Sequence, residues 1–158
     1  MSTRRTGLIA KASAEMRRQQ ATYDRFHDAV ADHLKVNRTD LRCLDLLDLH
    51  GKMTAGELSQ ATGLSTGAVT VMLDRLERAG YVRRVRDPGD RRRVYAEPTE
   101  LAAKHAAEVY APLTAQAAPL YDRFTDDQLA TIADFLGTAT KFYSGQTARV
   151  EALRPDSA

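Results

Sequence analysis

The stretch "TAGELSQATGLSTGAVTVMLDRLERAG", residues 54–80, constrains the fold more than any other part of the chain. Thr54 stands three residues before Glu57, the spacing of a capping box in which each side chain satisfies the other's free backbone N–H. Gly63 stops that helix about two turns later. Ser65 caps the next, where Val69, Met72, Leu73 and Leu76 fall at i, i+3, i+4 and i+7 on one face and Gly80 closes the end. Two helices joined by a turn at Gly63-Leu64 are the sequence form of a helix-turn-helix.

The texture changes after Gly80. "YVRRVR" and "RRVYAE" carry Val, Tyr and Arg in strand-like runs around the turn signal "DPGD", which predicts a β-hairpin. Before the motif, a long helix is expected over residues 8–34, with Leu8, Ala12, Met16, Tyr23, Phe26, Val30 and Leu34 in a narrow apolar stripe. A short helix follows, capped by Asn37 or Thr39, carrying Leu41, Leu44 and Leu47 on its apolar face and stopping at Gly51. Two more helices follow Thr99. Pro112 and Pro119 should kink or interrupt the first, and the second begins at Thr125 with Gln128 in another capping box.

At 158 residues the chain suits one domain, or two small lobes sharing a core. No segment approaches the ~20 apolar residues needed to span a bilayer, and the N-terminus lacks an apolar run of signal-peptide length, so a cytoplasmic protein is expected. One cysteine, Cys43, excludes an internal disulfide and a multi-cysteine zinc site. Set in "LRCLDLL", it reads as a buried apolar residue, with a redox-sensing thiol as the alternative. No Gly-rich phosphate loop, nucleophile elbow or catalytic carboxylate pair appears, which argues against an enzyme, and no cofactor is implied. Net charge is only +2, but residues 63–93 hold eight arginines and no lysine against four acids. Segregated positive charge of this kind points to a polyanion.

Taken together, "DRLERAGYVRR" followed by "RDPGDRR", within residues 40–99, resembles the winged-helix core of the MarR family of bacterial transcription regulators. The flanking helices agree in number, length and placement. The resemblance implies a mainly α fold with a small β-hairpin wing: a winged helix-turn-helix lobe over residues 37–99, flanked by dimerisation helices over 1–36 and 100–158. It implies a homodimer on a pseudo-palindromic double-stranded DNA site; because a dimer across a promoter blocks polymerase with no further contacts, a repressor is expected before an activator. It also implies a small-molecule effector in the crevice between the dimer helices and the DNA lobe.

The residues point the same way. With Val69 at the centre of the buried face, 100° per residue puts Gly67, Thr70, Val71, Asp74 and Arg78 on the opposite face. Ser65 and Thr66 open that helix. Gly67 allows close backbone approach, and Thr66, Thr70 and Val71 suit thymine methyls or phosphate. No Asn, Gln or Arg lies in the first turns for a bidentate base contact, so shape and methyl contact should dominate. In the wing, arginine suits phosphate and the narrow minor groove of A·T-rich DNA. The resemblance puts Arg92 at the tip with Asp90 two residues before it, expected to hold its guanidinium. Arg91 is the alternative, because a one-residue change of register exchanges the two. Arg75, Arg86 and Arg93 are phosphate candidates, unless they pair with nearby acids instead.

Leu8, Ile9, Leu129, Ile132, Phe135, Leu136, Phe142 and Tyr143 are candidates for the dimer interface or for a core within the subunit. Tyr23, His27, His33 and His50 are candidates to line an effector site. His27 and His33 lack the i, i+4 spacing of a paired metal motif, and no metal site is expected. The competing functions are an architectural or low-specificity nucleic-acid-binding winged-helix protein without an effector, and a module that docks its arginines on acidic proteins.

Overall fold

The computed structural model describes residues 2–90 and 92–153. By contact these divide into two units, Met1–Ala111 and Pro112–Ala158. The first holds α1 (Thr3–Leu34), α2 (Arg38–His50), β1 (Met53–Thr54), α3 (Ala55–Thr62), α4 (Thr66–Arg78), β2 (Val82–Arg86), β3 (Val94–Pro98) and the first half of α5 (Glu100–Tyr121). The second holds the rest of α5 and α6 (Asp126–Glu151). The protein is mainly α with one small antiparallel sheet.

Local chemistry sets most of these boundaries. Asn37 Oδ1 accepts the Asp40 amide (2.9 Å) at the start of α2. Thr54 and Glu57 form the capping box of α3, Ser65 caps α4, and Thr125 and Gln128 box the start of α6. At the end of α4, Tyr81 N–H reaches the Leu76 carbonyl (2.9 Å) and Gly80 N–H that of Glu77 (3.0 Å). This is the double bond of a Schellman turn, and Gly80 supplies its left-handed residue at φ 78°. α1 ends on the same turn with Lys35 in the left-handed position, at φ 54°. A glycine signal was therefore missing at that boundary, although the geometry is the same.

The core lies in the first unit. Val69, Met72, Leu73 and Leu76 are buried as the spacing predicts, with Leu47 and Leu58 beneath them and Val30 and Leu34 from the end of α1. The sheet has order β1-β3-β2. Pairing of Val82 with Pro98 through Arg86 with Val94 fixes the hairpin register. β1 was not expected. It lies against β3 through Met53 opposite Ala96 and Thr54 opposite Tyr95, and so ties the hairpin to the start of α3.

Two expectations change. α1 begins at Thr3, ahead of the apolar stripe. α5 continues through Pro112 and Pro119 without interruption, although each proline removes one backbone donor from the helix ladder. In the second unit no described residue is buried, and Phe135, Leu136, Phe142 and Tyr143 stand exposed. Among the described residues no helix is long and apolar enough to cross a membrane.

Candidate nucleic-acid interface

α4 turns its apolar residues inward and leaves Thr66, Gly67, Thr70 and Val71 exposed, Val71 at 54%. Ser65 Oγ is occupied in capping, accepting the Ala68 amide (3.3 Å). Thr70 Oγ1 donates to the Thr66 carbonyl (3.0 Å), so its hydroxyl proton is spent within the helix while its side chain stays exposed. A Cβ at Gly67 would meet nothing within 4 Å. The fold therefore has no need of a glycine there. Next to this face lies an open groove lined by Asn37, Thr39, Gly67, Ala68, Val71 and Arg75, among others.

The arginines sort into two groups. Arg75, expected at phosphate, is instead held by Asp40, its Nε at 3.0 Å and Nη2 at 2.6 Å from the two carboxylate oxygens. Asp40 is only 4% exposed and takes a third bond from Asn37 Nδ2 (3.0 Å). Arg84, on β2, reaches back to α4, pairing with Asp74 (2.6 Å) and with Glu77. Arg83 pairs across the hairpin with Glu97, its partner in register (3.1 Å). These three fasten α2, α4 and the hairpin together. Among the described residues, Arg86, Arg92 and Arg93 form no ion pair. Arg93 stacks its guanidinium over the Tyr95 ring (5.6 Å), and its charge acts on Asp87 and Glu57 without forming an ion pair with either.

The acids of the loop between β2 and β3 are engaged by the loop's own backbone. Asp87 Oδ1 accepts the amides of Gly89 (2.8 Å) and Asp90 (3.0 Å). These two bonds hold its carboxyl below the usual range. Asp90 Oδ1 accepts the Arg92 amide (3.0 Å), and its carbonyl takes the Arg93 amide (2.9 Å). The expected clasp of Asp90 on the Arg92 guanidinium is therefore replaced by a backbone bond: Asp90 shapes the tip through the main chain. A short carboxylate two residues ahead of an amide closes an Asx turn more easily than it spans a long guanidinium. Arg91, the alternative tip residue, lies outside the described residues.

The residues expected near an effector are not brought together. Tyr23 and His27 meet edge to face at 4.8 Å on α1, whereas His33 and His50 are exposed. The first unit instead contains a cavity of about 70 Å³ that none of the four lines. Its walls include Val30, Leu44, Ala102 and Val109, with Asp45, Asp48, His105 and Tyr110 as polar members. Tyr110 Oη donates to Asp45 (3.2 Å). Burial holds the Asp45 carboxyl above its usual range and pushes the Tyr110 hydroxyl up to about 12, with Asp45 adding to the latter. No periodicity flags these residues, because α2 and α5 approach only in the folded chain.

No group of His, Cys, Asp and Glu among the described residues is arranged to hold a metal ion. Cys43 is fully buried, and burial, with Asp40 second, pushes its thiol up to about 12, which suits the apolar reading of that residue. It is a poor thiolate.

A helix-turn-helix fastened to a hairpin carrying unpaired arginines defines a winged helix-turn-helix protein. Residues 36–94 match the sequence profile of the MarR family. The protein is 40% identical over 153 residues, 96% of this chain and 99% of that one, to YcgE of Bacillus subtilis (strain 168), an uncharacterized HTH-type transcriptional regulator. Among solved structures it resembles a MarR family protein from Bacillus stearothermophilus, with a TM-score of 0.68 at 23% identity over 91% of this chain and 99% of that chain. It also resembles a mutant MarR from E. coli complexed with operator DNA, with a TM-score of 0.58 at 23% identity over 83% and 94%. The chain belongs to the MarR family, and is a DNA-binding transcription regulator and not an enzyme.

Proposed function

We propose that the protein is a homodimeric repressor that binds a pseudo-palindromic operator in the cytoplasm and is released from it by a small-molecule effector. Each protomer presents Thr66, Gly67, Thr70 and Val71 of α4 to the major groove and the loop of the hairpin to the neighbouring minor groove. Arg92 or Arg91 enters that groove, and Arg86 and Arg93 meet phosphates. The observation that carries this proposal is the division of the arginines. Arg84 anchors the wing on α4, while Arg86, Arg92 and Arg93 have no ion pair among the described residues. Cations held free of ion pairs beside a small-residue helix face suit a phosphate-lined groove. The E. coli MarR mutant of similar fold was solved in complex with operator DNA.

The exposed apolar residues Leu8, Ile9, Ile132, Phe135, Leu136, Phe142 and Tyr143 support a dimer, because stripes of this size on long helices are usually covered by a partner. Two DNA lobes must then sit ~34 Å apart to read successive major grooves. An effector lodged in the cavity against α2 and α5 needs only to prefer the lobe spacing that DNA rejects.

Fluorescence anisotropy over a salt series, on an inverted-repeat duplex from the promoter of the regulated gene and on a random duplex, tests this. A regulator retains a specificity ratio of ~10³ or more near physiological salt. Equal binding to both duplexes at every ionic strength is the signature of an architectural protein and would sink the proposal.

A further inference from the structure

The cavity of the first unit carries a charge pattern that names its guest, given the effector role proposed above. Asp45 and Asp48 lie three residues apart on α2 and both line it, and no lysine or arginine lines it among the described residues. Neighbours at this spacing share one helix face, so two like charges meet at one wall. Asp45 is half-buried, with Tyr110 as its described hydrogen-bond donor. A carboxylate accepts at about four lone-pair sites, so much of its capacity remains. Two arginines stand on the other side of Asp45: Arg38, whose charge acts on it but which pairs with Asp24 and Asp28 at 3.2 Å each, and Arg42, which donates to the Ala61 carbonyl (3.0 Å).

The histidine adds an acceptor. Tyr81 Oη donates its single proton to the Leu34 carbonyl (3.1 Å), so its contact with His105 Nδ1 (3.1 Å) requires that ring nitrogen to carry the proton. Nε2 accepts whenever the ring carries only that one proton. The remaining walls are largely aliphatic: Val30 from α1, Leu44 from α2, and Ala102, Ala106 and Val109 from α5. About 70 Å³ admits a slender chain, not a bulky ring system.

We infer that the cavity binds a small organic cation, a primary ammonium on a slender apolar body, with Asp45 and Asp48 taking the ammonium and the aliphatic walls taking the body. A cation supplies the ion pair that neither carboxylate makes among the described residues, and its N–H donors match their acceptor oxygens. An anion would meet two carboxylates at short range, and a neutral alcohol would leave their repulsion untouched.

Calorimetric titration of the full chain without DNA tests this with three probes of one shape: n-hexylammonium, n-hexanol and n-hexanoate. Hexylammonium is expected to bind at least about ten-fold tighter than either of the others. The double variant Asp45→Asn, Asp48→Asn removes that preference and leaves hexanol binding unchanged. Should that variant fold poorly, Ala106→Leu serves. It narrows the apolar end with both carboxylates intact and is expected to weaken hexylammonium about ten-fold, an effect that a purely external ion pair would not show. Hexanoate or hexanol binding as tightly as hexylammonium overturns the inference, as does hexylammonium binding that neither variant disturbs. A parallel operator titration keeps the two proposals apart. Hexylammonium that binds without changing operator affinity removes the effector role and leaves the ligand class standing. Hexanoate that binds and releases DNA does the opposite.

Discussion

Replacing Arg75 with leucine deletes both charged bonds to a carboxylate that is 4% exposed, and the effect can be worked out from what remains. Asp40 keeps one donor, Asn37 Nδ2 at 3.0 Å. Stripping one partner from a buried ion pair costs ~3–5 kcal/mol, because the orphaned charge stays desolvated. The Arg75 side chain is itself 39% exposed, so the pair is only partly removed from water and the lower figure applies. Arg75→Leu is therefore expected to cost about 3 kcal/mol. Asp40→Asn is milder, about 1 to 1.5 kcal/mol, because a half-exposed guanidinium relaxes into solvent and the amide keeps one acceptor. The decisive measurement is the double variant. With the buried charge gone, adding Asp40→Asn to Arg75→Leu should restore about 1 kcal/mol or more, although Asp40→Asn alone destabilises. Urea unfolding followed by far-UV circular dichroism, at one fixed protein concentration, reads all three differences. A loss below ~0.5 kcal/mol for Arg75→Leu, the scale of an exposed pair, refutes the reasoning. So does a double variant weaker than Arg75→Leu alone.

Other outcomes follow from the same geometry. Gly67→Ala should stabilise the chain by about 0.5 kcal/mol, since the new methyl meets open space and alanine suits a helix better; thermal unfolding and operator titration should move in opposite directions, and unchanged operator affinity would remove α4's first turn from the DNA surface. Arg92→Ala should weaken operator binding by ~1–3 kcal/mol at fixed salt without shifting the unfolding midpoint. Cys43 should resist iodoacetamide at pH 8 in the native state and react at the rate of opening. Because its folded thiol titrates near 12, above its unfolded value, it contributes stability at neutral pH that declines as pH rises from the unfolded value towards 12. Replacing it with alanine should flatten that decline in an alkaline unfolding series.

What the sequence discloses is set by range. Thr54 with Glu57, Ser65, Thr125 with Gln128, and the glycines at 63 and 80 act within one turn of their own helix, so their roles are legible from spacing. The burial of Val69, Met72, Leu73 and Leu76 is legible for the same reason. β1 is not, because a strand of two residues exists only through its pairing with β3. The bond of Arg75 to Asp40 joins residues 35 apart, and both members look like ordinary surface charge in their own helices. The cavity is less visible still. Asp45 and Tyr110 are 65 residues apart, and neither is remarkable in a hydropathy pattern. Asp90 shows a subtler limit: its importance to the wing tip was visible in "DRR", but whether its carboxylate takes a guanidinium or an amide depends on the loop's backbone path.

The division of the arginines also separates two ways of binding a polyanion, and salt dependence distinguishes them. Composition counts Arg84 and Arg86 alike, yet Arg84 is neutralised by Asp74 and Glu77 while Arg86 has no ion pair among the described residues. An arginine that meets a phosphate releases condensed counterions, and its loss lowers the slope of log K against log salt by ~0.9 for each contact. An arginine that only aims the wing releases none. Arg86→Ala should therefore reduce the slope, whereas Arg84→Ala should leave it in place while weakening binding at every salt concentration, because the hairpin loses its anchor on α4. Circular dichroism would show the folded lobe retained in both. If Arg84→Ala lowers the slope as much as Arg86→Ala does, Arg84 abandons Asp74 and Glu77 for phosphate when DNA binds. The wing would then be held by the nucleic acid and not by α4.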